Sequence, residues 1–135
     1  MKTKKIVSVL LCVLILLIMP LTAFAAEKVE NVNTLIVGGT EITSKGYYTQ
    51  DAEGTWVNWT AQQKPSDNYI YFDGRFTLTL CNVNISGTPS VSYGAGIYVD
   101  GTRLTIVVKG ISKVLGGIDE YSCSSGIYST GELLF

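Results

Sequence analysis

The sequence of 135 residues contains no histidine. This absence excludes a Ser-His-Asp triad, a cysteine–histidine pair and zinc sites that use an imidazole. Basic residues are also scarce, because three of the ten lie in the first five positions. The rest of the chain has seven basic against eleven acidic residues, a net charge of −4. Without a basic cluster to contact phosphates, we do not expect nucleic acid to be a partner.

Cysteines and helical patterns are also scarce beyond residue 25. Cys81 and Cys123 are the only cysteines there. Export would permit a disulfide between them, but the sequence leaves open whether they pair or remain separate thiols. No segment after residue 25 has the periodicity of a helix. The sequence therefore predicts an all-β fold.

The N-terminal segment has the order of a secretory signal peptide. Lys2, Lys4 and Lys5 precede the apolar run 6–19, and small residues flank Phe24 in an Ala-x-Ala pattern. This run is shorter than the roughly 20 residues that a membrane span needs, although an uncleaved anchor is the alternative. We therefore predict a signal peptide over 1–25. We expect a bacterial-type protein that is secreted or at the cell surface, with no stable membrane span after signal removal.

A short signature recurs in the second half of the chain. Ile70–Gly74 returns as Ile97–Gly101 and again as Ile127–Gly131, each time followed by an apolar strand. A unit of this size buries its apolar face only by stacking on its copies. The recurrence predicts a β-solenoid of a few coils, with Ile70, Ile97 and Ile127 in one apolar column. An antiparallel β-sandwich is the alternative, because Asp-Gly pairs favour tight hairpins.

The solenoid hypothesis divides the rest of the chain. Residues 26–65, which hold both tryptophans, are predicted to be an N-terminal cap, and 66–135 to be the β-helix repeats. Within the repeats, the buried face changes phase at Cys81 and Asn82, which predicts a bend. The repeats are incomplete at the C-terminus, where an apolar strand ends at Phe135. The hypothesis is a truncated longer protein or end-to-end self-association.

Several of these segments together resemble a known family. The sequence is similar to the start of the secreted carbohydrate-binding-domain proteins of Firmicutes over residues 35–43, 46–49, 77–85, 95–98 and 104–110. The resemblance implies a right-handed parallel β-helix. It also implies a polysaccharide or other glycan as the partner, since the family is related to binders of acidic plant polysaccharide and to pectate-lyase-like helices.

Aromatic residues are the candidate ligand-binding groups. In the repeats the isoleucines should point inward and the tyrosines outward, giving an external ladder with a step of about 4.8 Å. Sugar rings can stack on such rings, although a ladder that only stiffens the solenoid is the alternative. Of the two tryptophans, one is expected to pack into the cap and the other to be exposed. The predicted ligand-binding residues are Trp56, Trp59, Tyr71, Tyr98 and Tyr128.

No cofactor is predicted, although calcium is an alternative. Asp73 and Asp100 occupy equivalent positions of the signature, so their carboxylates would lie one coil apart and begin a calcium site. Aspartate before glycine is also a good turn former, and we favour that interpretation.

The function predicted from these observations is non-catalytic carbohydrate binding outside the cell. One alternative is a structural surface protein or adhesin repeat, whose edges bind protein partners. The second alternative is a fragment of a polysaccharide lyase-like β-helix, which would need a carboxylate cluster and a basic residue on one face.

Overall fold

The computed structural model describes residues 31–89, 91–118 and 124–135. The predicted signal peptide and Cys123 lie outside these residues. The described part of the chain contains no helix with the length and apolarity needed to cross a membrane.

The described residues form β-strands and one short 3-10 turn, Ser92–Gly94. The strands are β1 Val32–Val37, β2 Thr40–Glu41, β3 Gly46–Gln50, β4 Trp56–Asn58, β5 Tyr69–Phe72, β6 Thr77–Cys81, β7 Asn84–Ser86, β8 Ile97–Gly101, β9 Arg103–Lys109, β10 Lys113–Leu115, β11 Ile127–Ser129 and β12 Glu132–Leu134.

The strands belong to three sheets. A six-stranded sheet has the order β12-β9-β6-β5-β3-β4, a four-stranded sheet the order β11-β8-β1-β2, and β10 pairs with β7. Pairing is antiparallel among β3, β4, β5 and β6 and between β8, β1 and β2. It is parallel in β6-β9-β12, β7-β10 and β8-β11. The fold is all-β with mixed sheets, none of which closes.

The parallel strands are separated by nearly constant lengths of chain. The separation between in-register partners is almost the same in each of the three sheets: Leu78 pairs with Ile106, Ile85 with Val114, and Ile97 with Ile127. A direct hairpin cannot join parallel neighbours, since a parallel pair needs a crossover connection.

Part of the predicted isoleucine column is wrong. Ile97 and Ile127 are in-register partners on β8 and β11, as expected. Ile70 lies instead on β5, where it pairs antiparallel with Leu80 of the six-stranded sheet. In the first copy of the signature, the Asp-Gly pair joins two antiparallel strands, as such pairs often do. In the second copy it leads from one sheet to another, so the same signature has different strand partners.

The antiparallel region is longer than the predicted cap. It includes β5, Tyr69–Phe72, and the change to parallel pairing occurs at β6, which pairs antiparallel with β5 and parallel with β9. The boundary at residue 65 stays a prediction.

All three sheets contribute inward-facing side chains to one core. Alternation along each strand places every second residue on the buried face. The fully buried large side chains are Leu35, Val37, Ile70, Leu78, Leu80, Ile85, Ile97, Val99 and Leu104. Burying each such side chain contributes roughly 1.5–3 kcal/mol.

A bend between β6 and β7 occurs at the phase change predicted from the sequence. Asn82 has the left-handed backbone conformation, with φ 50°. Its Oδ1 accepts the backbone N–H of Ile111 at 2.8 Å, and its Nδ2 donates to Asp67 Oδ1 at 2.7 Å. Asparagine tolerates this conformation better than other non-glycine residues. The side chain therefore ties the bend to the corresponding bend of the next strand pair.

Replacing Asn82 by alanine should lower the free energy of unfolding by about 2 kcal/mol. The left-handed conformation costs alanine about 1 kcal/mol, and the lost hydrogen bonds about another. Asn82→Gly is the matched control, because it keeps the backbone freedom and loses only the side chain, so half the effect is expected. Denaturant unfolding measures both. Equal stability of the alanine variant and the wild type would contradict this account of the bend.

Candidate functional site

Two of the predicted ligand-binding residues stack on one another. Tyr98 of β8 and Tyr128 of β11 are in-register partners. Their ring centroids are 5.6 Å apart and their planes differ by 1°. Because Ile97 and Ile127 point into the core, the alternation of the strands directs both tyrosines outward. The parallel pairing thus produces the aromatic step that the sequence predicted for these two positions.

A third tyrosine, which the sequence pattern did not indicate, joins this pair. The Tyr93 ring centroid lies 6.0 Å from that of Tyr98 and 5.2 Å from that of Tyr128, with interplanar angles of 31°. Tyr93 is 75 % exposed and Tyr128 is 39 % exposed. We call Tyr93, Tyr98 and Tyr128 the tyrosine platform.

The backbone of Tyr93 has an unusual conformation. Its φ of 59° and ψ of 24° are left-handed helical values, which are a genuine outlier for a bulky residue. Two hydrogen bonds fix the following residue: Gly94 N–H donates to Val91 O at 2.7 Å, and Gly117 N–H donates to Gly94 O at 2.6 Å. Strained residues of this kind cluster at functional sites. No sequence pattern signals a tyrosine in this conformation, which explains why it was missed.

A carboxylate adjoins the platform. Asp100 is two residues from Tyr98 on β8, and its Oδ1 accepts the Thr130 hydroxyl at 2.8 Å. Thr130 Oγ1 in turn accepts the N–H of Gly101 at 3.2 Å, so the carboxylate is held in place. Partial burial, then the charge of Asp100 and then the neighbouring tyrosines raise the pKa of Tyr98. The phenol remains neutral, and can donate and accept hydrogen bonds.

Tyr71 does not belong to this platform, so its predicted place in the ladder is wrong. It lies on β5 in the six-stranded sheet, with its ring centroid 4.6 Å from that of Tyr47. Tyr47 also makes an edge contact with buried Tyr69, over which Lys64 lies 5.9 Å from the ring centroid. Tyr71 lies apart from the platform because β5 pairs antiparallel in the six-stranded sheet, whereas Tyr98 and Tyr128 lie in the four-stranded sheet.

One of the two tryptophans is buried and the other is exposed, as predicted. Trp56 is 3 % exposed and belongs to the core cluster, whereas Trp59 is 38 % exposed. The indole N–H of Trp59 donates to the Gln63 carbonyl at 2.7 Å. Neither makes a ring contact with the tyrosine platform among the aromatic pairs of the described residues. A role in ligand binding for Trp59 stays a prediction.

The prediction that Asp73 and Asp100 occupy structurally equivalent positions is also wrong. Asp73 follows β5, whereas Asp100 lies on β8 in the four-stranded sheet. Asp73 Oδ1 accepts the N–H groups of Arg75, Phe76 and Thr77 at 2.8–2.9 Å, which is the turn role favoured above. Within the described residues, no group of three or more Cys, Asp or Glu side chains is placed to hold a metal ion.

The turn at Asp73 should contribute to the pH dependence of stability. Burial alone would raise the pKa of Asp73, but the hydrogen bonds from Thr77, Arg75 and Phe76 outweigh it and lower the pKa below its ordinary value of 3.8. A carboxyl with a lowered pKa stabilises the fold above the unfolded pKa, and this stabilisation is lost as pH falls through the folded pKa. Asp73→Asn should therefore be less stable than wild type at pH 7, and the difference should shrink below about pH 4. Urea unfolding from pH 7 to pH 2.5 measures it, and a difference independent of pH would contradict the assignment.

Cys81 is buried, and its Sγ lies 4.0 Å from Asp67 Oδ1. Because Cys123 lies outside the described residues, the question of a disulfide between them stays open.

Comparison with protein-family models, with curated proteins and with solved structures finds no match. The similarity to the Firmicutes carbohydrate-binding proteins therefore remains a prediction from the sequence.

Proposed function

We propose that the chain from β6 onward forms the first coils of a right-handed parallel β-helix and that the antiparallel strands before β6, including β5, form its cap. The support is the near-constant length of chain between parallel partners in three separate sheets. Each coil would then contribute one strand to each sheet, with bends at Asn82 and Gly110, which both have positive φ. Right-handedness is the rule for parallel crossovers.

We further propose that the protein is exported and binds glycans, without catalysis, at the tyrosine platform. The observation that carries this proposal is the exposure of Tyr93 in a strained conformation against the stacked pair Tyr98 and Tyr128. Burying this much aromatic surface under a ligand is favourable, whereas leaving it in water and under strain has no structural benefit.

The platform offers both kinds of contact that a sugar ring makes. The aliphatic C–H face of a pyranose packs on an aromatic ring, while its hydroxyl groups need hydrogen-bonding partners at the rim. The phenol groups supply donors and acceptors, and Asp100 supplies a fixed acceptor beside Tyr98.

A polysaccharide panel tests this function. The chain is expressed with its own leader, recovered after export and run through native gels that contain plant, mucin or cell-wall polysaccharides. Retardation by at least one polymer, relieved by free oligosaccharide of the same type, is expected. No retardation by any polymer would contradict glycan binding.

A structural or adhesin function has separate support in the exposed apolar side chains of the last strands and their loops. Val108, Leu115, Ile118 and Phe135 are all exposed. Exposed apolar surface beside unpaired strand edges favours end-to-end association. Light scattering across a concentration series would detect it. A monomer at all concentrations would leave the platform as the better-supported site.

A further inference from the structure

The tyrosine platform is part of a longer row of outward-facing side chains that crosses the four-stranded sheet. Strand register aligns Glu41 of β2, Ile36 of β1, Tyr98 of β8 and Tyr128 of β11. Two residues further along β8, Asp100 aligns with Thr34. The platform therefore shares one face with two carboxylates.

This face has no basic residue in its described strands. The sequences of β1, β2, β8 and β11 contain neither lysine nor arginine. The basic residues in the described strands, Arg103, Lys109 and Lys113, belong to the other two sheets. Arg103 lies nearest in sequence, and its guanidinium packs over the Phe76 ring, 5.1 Å from the centroid. The strands that carry Tyr98 and Tyr128 thus contribute only negative charge.

Asp100 is the closer of the two carboxylates to the ring stack. Residues two apart on one strand face are separated by roughly 7 Å, whereas Glu41 is two strands from Tyr98, roughly 10 Å away. The Debye length at physiological ionic strength is about 8 Å. Asp100 therefore lies within one Debye length of a ligand at Tyr98, whereas Glu41 lies beyond it and is screened more strongly. The raised pKa of Tyr98, to which Asp100 contributes after partial burial, agrees with a negative local potential.

We propose that the tyrosine platform takes uncharged glycans and that Asp100 is the residue that rejects uronic acids. This inference rests on the proposed function. A uronic acid residue stacked on the platform brings its carboxylate near that of Asp100, with no basic side chain in the strands of this sheet to offset the repulsion. A neutral sugar meets no such penalty, and its hydroxyl groups donate to the same carboxylate.

Matched polymers test the charge selection. The exported full chain is run in gels containing fully methyl-esterified or de-esterified polygalacturonate, and hydroxyethyl- or carboxymethylcellulose. Each pair has one backbone and differs in charge. We expect the wild type to bind the neutral member roughly threefold more tightly at low ionic strength, since one unit charge at about 7 Å in water changes affinity by about that factor. The ratio should fall towards one as salt is added.

Asp100→Asn separates this residue from the general charge of the protein. Asparagine keeps an oxygen that accepts the Thr130 hydroxyl but carries no charge. The neutral-to-acidic affinity ratio should fall roughly threefold in this variant. Glu53→Gln is the matched control, since it removes one charge from the loop between β3 and β4, at the edge of the six-stranded sheet. Its ratio should equal that of the wild type.

The outcomes distinguish the two proposals. If no polymer in either pair or in the wider panel retards the protein, the proposed function and this inference both fail. If a de-esterified or carboxymethylated polymer binds as tightly as its neutral counterpart, charge selection is overturned and glycan binding stands. An unchanged ratio in Asp100→Asn, or an equal change in Glu53→Gln, overturns the role of Asp100.

Discussion

Replacing Ile97 by alanine should lower the free energy of unfolding by about 3 kcal/mol. Ile97 is fully buried, and it pairs on one side with Val37 and on the other with Ile127. Removing its side chain loses the transfer free energy and leaves a cavity that these neighbours cannot fill without moving strands. Because β8 also carries Tyr98, the loss weakens the scaffold under the platform.

The same substitution at an exposed isoleucine is the control. Ile111 lies in the loop after β9 and is 88 % exposed, so Ile111→Ala should change stability by less than about 0.5 kcal/mol. Guanidinium unfolding followed by far-ultraviolet circular dichroism measures both variants. Similar effects of the two substitutions would show that β8 is not the buried centre of the sheet.

Tyr93→Asn should weaken glycan binding roughly tenfold without an equal loss of stability. The ring supplies the most exposed aromatic surface of the platform, and stacking on it is worth about 1–1.5 kcal/mol. Asparagine adopts the left-handed conformation more readily than tyrosine does. The relief of strain should therefore offset the lost ring contacts, so that the free energy of unfolding changes by less than about 1 kcal/mol.

Tyr71→Asn is the matched control for the loss of a tyrosine. It removes a ring from the second aromatic cluster, next to Tyr47 on the six-stranded sheet. Its glycan affinity should equal that of the wild type, although it should be less stable because Tyr71 is partly buried. Equal weakening of binding by the two substitutions, or unchanged binding by Tyr93→Asn, would contradict the assignment of the platform.

Local pattern predicted the strands better than their partners. The alternation of residues correctly indicated β6, β8, β9 and β11, and the phase change correctly indicated the bend at Asn82. It did not distinguish the first copy of the signature from the others, because an Asp-Gly turn serves a hairpin and a corner equally well. Ile70 has antiparallel partners on both sides, β6 directly after it and β3, which lies well before it in the chain with β4 and a long loop between them.

The candidate site was predictable only where it follows from register. Tyr98 and Tyr128 stack because equivalent residues on in-register parallel strands must lie side by side. Tyr93 lies outside any strand, and its orientation depends on a left-handed backbone and on the hydrogen bonds that Gly94 makes with Val91 and Gly117. Such contacts form only after distant segments have come together, so no residue spacing in the sequence predicts them.

The charge near the tyrosine platform favours a different ligand from the one that the family resemblance implies. The resemblance to the Firmicutes family implied a relationship to binders of acidic polysaccharide. The strands of the four-stranded sheet that carries the platform instead hold Asp100 and Glu41 and no basic residue. Two surfaces with the same aromatic step can therefore differ in ligand, because the charge beside the rings decides which sugars are tolerated.

The most direct measurement is the nuclear magnetic resonance spectrum of the tyrosine rings, with and without a neutral oligosaccharide. The ring signals of Tyr93, Tyr98 and Tyr128 should shift with ligand concentration, while those of Tyr47 and Tyr71 should stay in place. Shifts at Tyr47 and Tyr71 alone, or no ring shifts at saturating ligand, would contradict this prediction.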